Sequence, residues 1–473
     1  MFSKYQENLN LISKNWKKYL FLFILVFFVY YFTKFIGFQT KQSISMMIIV
    51  VLISTTFLFW NRRLSFAFVG IGLLLAFNVI DIKSLLEFAH FDIILFLISM
   101  MVFVGFLEKS KFFEFIIGKI INKVGNNPKL LIIILMLVSA ISAAIIDEVT
   151  SIIIMVSIIL HLTNKYKLNP IPFILMTVFA TNIGSSATVV GNPVGVMVAL
   201  NGGLTFSDFL RWAAPISFIA LSITIGLFFL FFKNEISELE NKIKHSKKKK
   251  RQETMMEGEN LILSSILFGL IFLGLVFHSN VEKMLHLEKN TMLIGFAMFG
   301  AGIAMLIEKD KAAELIERRV DWWTLVFFIF LFASVGSLEY TGVIDILSKN
   351  LRNITGDNII KTIIIIMIIG GLLSAVLDNV LAVAIMVPIV KDIISLDPTM
   401  GFPLWWIMLF AGTFFGNLTH IGSTANIVAL GILQKRGYEH IGFKTWIKYG
   451  FFVTLITSIV AALLIILQLP LMP

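Results

Sequence analysis

Apolar runs recur along almost the whole chain, each close to the ~20 helical residues that cross a roughly 30 Å hydrocarbon layer. That recurrence fixes the fold class as an all-α polytopic membrane bundle. A barrel would need polar and apolar residues to alternate at period two, whereas the stretch from Leu130 to Ile146 is apolar on every face. With 58% hydrophobic and only 14% charged residues in 473, the chain cannot solvate the surface of a soluble enzyme, and no enzymatic reaction is expected. Zero cysteines exclude a disulfide, a thiolate metal site and a thiol nucleophile. The net charge of +10 is read as a signal of orientation, with no nucleic-acid partner expected.

Lys4, Lys14, Lys17 and Lys18 precede the first apolar run, which lacks a small-residue cleavage site and reads as a retained span with a cytoplasmic N-terminus. The densest basic run, KIKHSKKKKR (Lys242 to Arg251), marks a second cytoplasmic segment. It divides the chain into a first half, 1–232, a solvated linker, 233–259, and a second half, 260–473. Six crossings fit before the linker, the first four near 19–37, 44–60, 64–80 and 92–107 and the last near 212–232. Residues 111–128 mix Lys with Phe and Ile at helical spacing and suit a helix lying in the interface. The segment 129–168 must then enter and leave on one side, as a re-entrant hairpin. Eleven crossings in all would place the C-terminus outside.

A shift of 231 positions aligns Gly105 to Phe115 with Gly336 to Ile346, and AAIIDEV (Ala143 to Val149) with SAVLDNV (Ser374 to Val380), so that Asp147 falls on Asp378. After a seven-residue slip, TNIGSSAT (Thr181 to Thr188) aligns with THIGSTAN (Thr419 to Asn426). Continuing the charge count through the charged segment Glu308 to Arg319 gives the two halves opposite orientations. Inverted repeats supply two nearly equivalent states, one open to each side, and are characteristic of secondary transporters.

An ionisable residue deep in an apolar segment costs ~3 kcal/mol or more unless it faces protein, water or an ion. Asp147 and Glu148 interrupt one hairpin, Asp378 and Asn379 the other, and the apolar pieces after them, Ile152 to Leu160 and Val380 to Val390, look too short to span. Each acidic pair is therefore placed at a hairpin tip near the midplane. The alternative, an Asp in a short aqueous loop between two short spans, would break the charge-derived topology. GSSATVVGNP (Gly184 to Pro193) and GSTANIVALG (Gly422 to Gly431) should break their helices, freeing carbonyls and Ser, Thr and Asn oxygens to ligate a desolvated cation. The candidate ion and substrate site comprises Asp147, Glu148, Thr150, Asn182, Gly184, Ser185, Ser186, Thr188 and Asn192 from the first half. From the second it takes Asp378, Asn379, Asn417, Thr419, Gly422, Ser423, Thr424 and Asn426. Asp147, Ser185, Asp378 and Ser423 are the candidate Na+ ligands. Glu108 and Glu339 read as solvated helix ends, and Trp322, Trp323, Trp405 and Trp406 as interfacial belts. His420 fits either a proton relay or a structural hydrogen bond. Gly184-Ser185 follows no strand and lacks a phosphate-loop Lys, so no nucleotide cofactor is expected.

These motifs resemble the ion transporter superfamily, specifically the group of arsenite-efflux permeases, NhaD-type sodium/proton antiporters and the pink-eyed dilution protein. His90 to Phe115 resembles that group's Met-Met and Leu-Glu-Lys-x-Gly-x-Phe stretch, with Lys111 in place of the glycine, and SAVLDNV resembles its Ser-Ala-x-x-Asp-Asn tip. Glu148 stands where the group has Asn. The resemblance implies a scaffold domain, a transport domain of two hairpins and two broken helices, and a homodimer in the cell membrane. More distantly the chain is similar to sodium-coupled dicarboxylate and citrate carriers. No Lys or Arg lies in either motif block to clamp a dicarboxylate, so a cation or neutral solute is favoured. The leading expectation is a secondary antiporter moving Na+ or arsenite, with Na+ or H+ as coupling ion and no other cofactor. The alternative is a Na+-coupled importer of citrate, dicarboxylate or another divalent anion, and a passive channel is disfavoured by the repeat.

Overall fold

The computed structural model describes residues 2–123, 127–245, 261–356, 358–438 and 441–473, and every element among them is helical. Among the described residues twelve helices are long and apolar enough to cross a membrane, and the protein is an all-α, multi-pass membrane protein. Eleven crossings were expected, and the two sets differ: the twelve include all four hairpin arms, Pro128–Ile145, Glu148–Tyr166, Ile359–Val376 and Asn379–Leu396, and leave out the expected spans near 44–60 and 64–80, whose apolar helices are shorter. The second arms of the hairpins, Glu148–Tyr166 and Asn379–Leu396, are helices of 19 and 18 residues, not short pieces. The helix runs on through His161, Thr163, Asn164 and Lys165 because polar residues at its end do not break it, and it stops where Lys167 turns left-handed at φ 50°.

The repeat is expressed in the elements themselves. Helices Phe91–Lys109 and Pro128–Ile145 recur 231 residues on as Trp322–Tyr340 and Ile359–Val376, and the hairpin entries are capped alike by Asn127 and Asn358. Ile171–Gly184 and Pro193–Gly202 recur as Gly401–Phe415 and Thr424–Lys435 at the same offset. No slip occurs. The match of TNIGSSAT to THIGSTAN is a coincidence of small residues, since Ser185 ends a helix while Ser423 caps the start of one. The counterpart of Ser423 is Asn192, which caps Pro193–Gly202. Side-chain bonds agree: Thr188 donates to the Ala144 carbonyl, and Thr419, 231 residues further, to that of Ala375 at 2.5 Å.

The chain forms two compact units, and each draws on both sequence halves. The first contains residues 1–91, 322–354 and 391–393. In it, Ser45 and Ser337 hydroxyls meet at 2.5 Å, and the buried Arg63 guanidinium lies 3.9 Å from the Trp60 ring and 4.7 Å from that of Phe327. The second contains residues 92–321, 355–390 and 394–473. There Pro128–Ile145 packs on Ile171–Gly184, as Ile359–Val376 does on Gly401–Phe415. Ala214–Phe231 packs on its repeat mate Phe443–Gln468. Glu108 pairs with Arg319 at 2.8 Å, so this acidic helix end is bridged and not merely solvated.

Two other expectations change. Trp322 and Trp323 are exposed as belt residues would be, but Trp405 and Trp406 are buried, the latter stacked edge-on against Phe209 and Phe402. Their helix, Gly401–Phe415, is enclosed on nearly every face, so its tryptophans pack in the core. The linker is not simply solvated either. Lys233–His245 is an amphipathic helix whose Ile236, Leu239 and Ile243 are buried, and it packs on both arms of the first hairpin. Glu238–Lys242 and Glu240–Lys244 pairs line its polar face, and Lys242 also donates to the Lys167 carbonyl at 2.7 Å. Residues 246–260, with most of the basic run, lie outside the described residues.

Candidate functional site

The second unit holds both hairpin tips and both helix breaks. At the first tip the helix ends at Ile146 and Asp147 caps the next helix, its Oδ1 accepting the Val149 and Thr150 amides at 2.7 and 3.0 Å. At the second tip Asp378 accepts the Val380 amide at 3.3 Å and the Thr424 hydroxyl at 2.9 Å, while Asn379 Oδ1 takes the Val380 amide at 2.9 Å. Both aspartates thus turn back on their own helix starts. The following residue, Glu148 or Asn379, is left to project between the elements.

Glu148 is 1% exposed. Its Oε2 accepts from the Ser185 hydroxyl, and its Oε1 from the Asn379 amide and the Ser423 hydroxyl, each at 3.3 Å. These are long, neutral contacts from both halves of the repeat, and Asp378 and Asp147 are near enough for their charge to act on the same carboxyl. Among the described residues no guanidinium or ammonium is hydrogen-bonded to this buried carboxylate. Burial of a carboxylate without a counter-charge is costly, and a proton or a small hard cation would offset it. Among the described residues no three or more His, Asp or Glu are grouped so as to hold a metal ion, and the side chains hydrogen-bonded to the Glu148 carboxylate are neutral.

Behind the carboxylate lies a closed amide network. Asn182 Nδ2 donates to Asn417 Oδ1 at 2.8 Å and Asn426 Oδ1 at 2.9 Å, and its Oδ1 accepts from Ser423 at 3.1 Å. Asn426 Nδ2 in turn donates to the Gly416 and Thr419 carbonyls at 2.8 and 2.9 Å. Asn192 Nδ2 donates to Ser185 Oγ at 2.6 Å while its Oδ1 caps its own helix through the Gly195 amide at 2.7 Å. Among the described residues the buried Asn417 Nδ2 group has no hydrogen-bond partner.

The remaining candidates are placed away from the carboxylate. Thr188 and Thr419 tie the helix breaks to the hairpins through the carbonyls of Ala144 and Ala375. Ser186 bonds the Ile183 carbonyl and Ser217, Thr424 serves Asp378, and Thr150 serves Asp147. Gly184 is a packing position, since a Cβ there would sit 2.3 Å from the Ala140 backbone. Gly191 and its repeat mate Gly422 let the break fold on itself: a Cβ would lie 2.1 Å from the Ser185 carbonyl oxygen and 2.9 Å from that of Gly416. His420 stacks edge-on with Phe443 at 5.5 Å. Sequence reasoning missed Trp446, whose indole donates to the Asn417 carbonyl at 3.0 Å. Near the start of a long apolar helix it reads as a belt tryptophan, and only its complete burial shows otherwise.

With this geometry in place, comparison with known proteins is informative. The sequence matches the family described as "Citrate transporter" over residues 48–411 and again over 335–472. The chain belongs to the citrate transporter family. An uncharacterized transporter of Mycobacterium tuberculosis is 31% identical over 375 residues, covering 79% of this chain and 85% of that one. The human P protein is 24% identical over 445 residues, 78% of this chain but 52% of its own length. Among solved structures, the YdaH transporter of Alcanivorax borkumensis, described as having an unusual topology, superposes with a TM-score of 0.60 at 12% identity, covering 82% of this chain and 87% of that one. That likeness concerns the fold. This member of the family is a transporter, and neither its coupling ion nor its substrate follows from these relatives.

Proposed function

We propose that the protein is a cation-coupled secondary transporter in which Glu148 is the carboxylate that exchanges a proton for Na+, and that it works as an antiporter. The observation that carries this reading is the set of partners on Glu148. Ser185, Asn379 and Ser423 are all neutral, and they come from both halves of the repeat. A repeat whose halves have opposite orientation, as the Lys/Arg asymmetry implies, would let this one site face either side in turn. Competition between H+ and Na+ for one carboxylate is then sufficient for exchange. The N-terminus is assigned to the cytoplasm on the same charge asymmetry.

The test is flux into proteoliposomes under imposed gradients of Na+, pH, arsenite and citrate. Sodium uptake driven by an outward proton gradient, without citrate, is the expected result. A second reading, cation-coupled citrate or dicarboxylate uptake, is favoured by the family's description and by the unpartnered Asn417 Nδ2, an N–H donor suited to an anion's oxygen. Citrate uptake that requires Na+, with no sodium movement in its absence, would select that reading over exchange.

A further inference from the structure

Ser185 and Ser423 flank the Glu148 carboxylate, one on each oxygen, and they share a second feature. A serine hydroxyl has one hydrogen and two lone pairs. Ser185 Oγ spends one lone pair on the Asn192 amide at 2.6 Å, and Ser423 Oγ spends one on the Ala425 amide at 3.2 Å. Each therefore keeps one hydrogen and one lone pair to direct. For the hydrogen, each has two acceptors within reach: Glu148 at 3.3 Å, and an oxygen of Asn182 that is nearer. For Ser185 this is the Asn182 main-chain carbonyl at 3.0 Å, for Ser423 the Asn182 side-chain Oδ1 at 3.1 Å. Both serines can thus turn their hydrogens onto the same residue.

The orientation of that residue follows from bond logic. Asn426 must direct Nδ2 at the Gly416 and Thr419 carbonyls, which only accept, so its Oδ1 faces Asn182. Asn182 must then direct Nδ2 at the oxygens of Asn426 and Asn417, which leaves its Oδ1 for Ser423. We infer that Asn182 is a positioning residue: it accepts the hydrogens of Ser185 and Ser423 when a monovalent cation binds Glu148, so that both serines stop donating to the carboxylate and become cation ligands. The inference rests on the reading of Glu148 as the cation site. Without the Asn182 oxygens, each serine's hydrogen would stay on the carboxylate and stand between it and the cation.

The experiment is a Na+ titration of thermal unfolding on the full chain in detergent, at alkaline pH and constant ionic strength balanced with choline. The variants are Glu148→Gln, Ser423→Ala, Ser423→Thr, Asn182→Leu and the double variant Asn182→Leu/Ser423→Ala. Wild type should be stabilised by Na+ and Glu148→Gln should not. If wild type shows no stabilisation by Na+, or Glu148→Gln keeps it, the cation reading itself fails. Given a normal Glu148 result, Ser423→Ala and Asn182→Leu should each raise the half-saturating Na+ concentration about tenfold, the loss of one ligand contact. Ser423→Thr should bind as wild type, and the double variant should be no worse than either single variant, because Asn182 acts on Ser423 through one shared bond. Additive effects, or sodium binding as tight as wild type in Asn182→Leu, would overturn the inference while leaving the cation reading intact. Should Asn182→Leu fail to fold, Ser423→Ala decides alone: weaker sodium binding supports the ligand role. Unchanged or tighter binding refutes it, since a mere donor would have to be displaced before the cation could bind.

Discussion

Glu148 and Asn379 occupy the same position in the two halves of the molecule, and they touch, the amide of one donating to the carboxylate of the other at 3.3 Å. A residue and its repeat mate can meet only where the two halves come together, so the site is built at the junction of the repeats. Around it the halves differ by single residues. Where the first half has Asp147-Glu148 the second has Asp378-Asn379, and where the first has Ser185 the second has Gly416. The caps differ too, Asn192 against Ser423. The first half thus supplies the charge and one hydroxyl, the second an amide and another hydroxyl. One carboxylate between two near-equivalent halves is a simple arrangement for coupling, because a single charge can be neutralised by a proton or by a cation but not by both.

The largest predicted effect removes the difference between the halves. Glu148→Gln should reduce gradient-driven flux by at least about 100-fold in proteoliposomes, with the protein still folded and monodisperse, because the amide keeps the shape but not the charge. Retained flux would mean that the asymmetry at the tip is incidental. Next comes the comparison of the two tight breaks. Gly191→Ala should destabilise by about 3 kcal/mol or more and Gly422→Ala by about 1–2, since the added carbon meets backbone at 2.1 Å in one half and 2.9 Å in the other. Thermal or denaturant unfolding in detergent checks the ranking, and equal losses would contradict it.

A smaller effect sharpens the same comparison. Moving the charge across the junction with Glu148→Asn and Asn379→Glu together should preserve sodium binding but weaken it about tenfold, because the second half has Gly416 where the first has the Ser185 hydroxyl. The readout is the half-saturating sodium concentration of the swapped protein. No binding at all would show that the halves are not interchangeable around the carboxylate. Smallest is the pair Thr188→Val and Thr419→Val. Each removes one hydroxyl bond between a helix break and a hairpin carbonyl, at Ala144 or Ala375, and should cost about 1 kcal/mol in either half. A large difference between the two would signal unequal anchoring of the tips.

Much of this was legible in the sequence, because buried acids in apolar runs and a constant offset survive without coordinates. The 231-residue spacing of Asp147 and Asp378 extends through the caps Asn127 and Asn358 and the helix-break threonines. What misled was local likeness. Thr-x-Ile-Gly-Ser at Thr181 and Thr419 is built of residues that any helix break favours, and it hid the true pairing of Asn192 with Ser423. Nor could the sequence say which residue of the Asp147-Glu148 pair faces the site, since that depends on Asp147 taking two amides of its own helix. The burial of Trp405 and Trp406 depends on neighbours far along the chain and leaves no local mark.

The central claim is that proton and sodium compete for Glu148, and it is tested most directly by following protons on sodium addition. Below the carboxyl's pKa the apparent sodium affinity should fall about tenfold per pH unit, and above it the affinity should level off, because sodium binds only the deprotonated form. In weakly buffered solution at a pH where the carboxyl is protonated, saturating NaCl should release about one proton per wild-type molecule, against a choline chloride control. Glu148→Gln should release none. Sodium binding with no proton release in the wild type, or equal release from Glu148→Gln, would contradict the account.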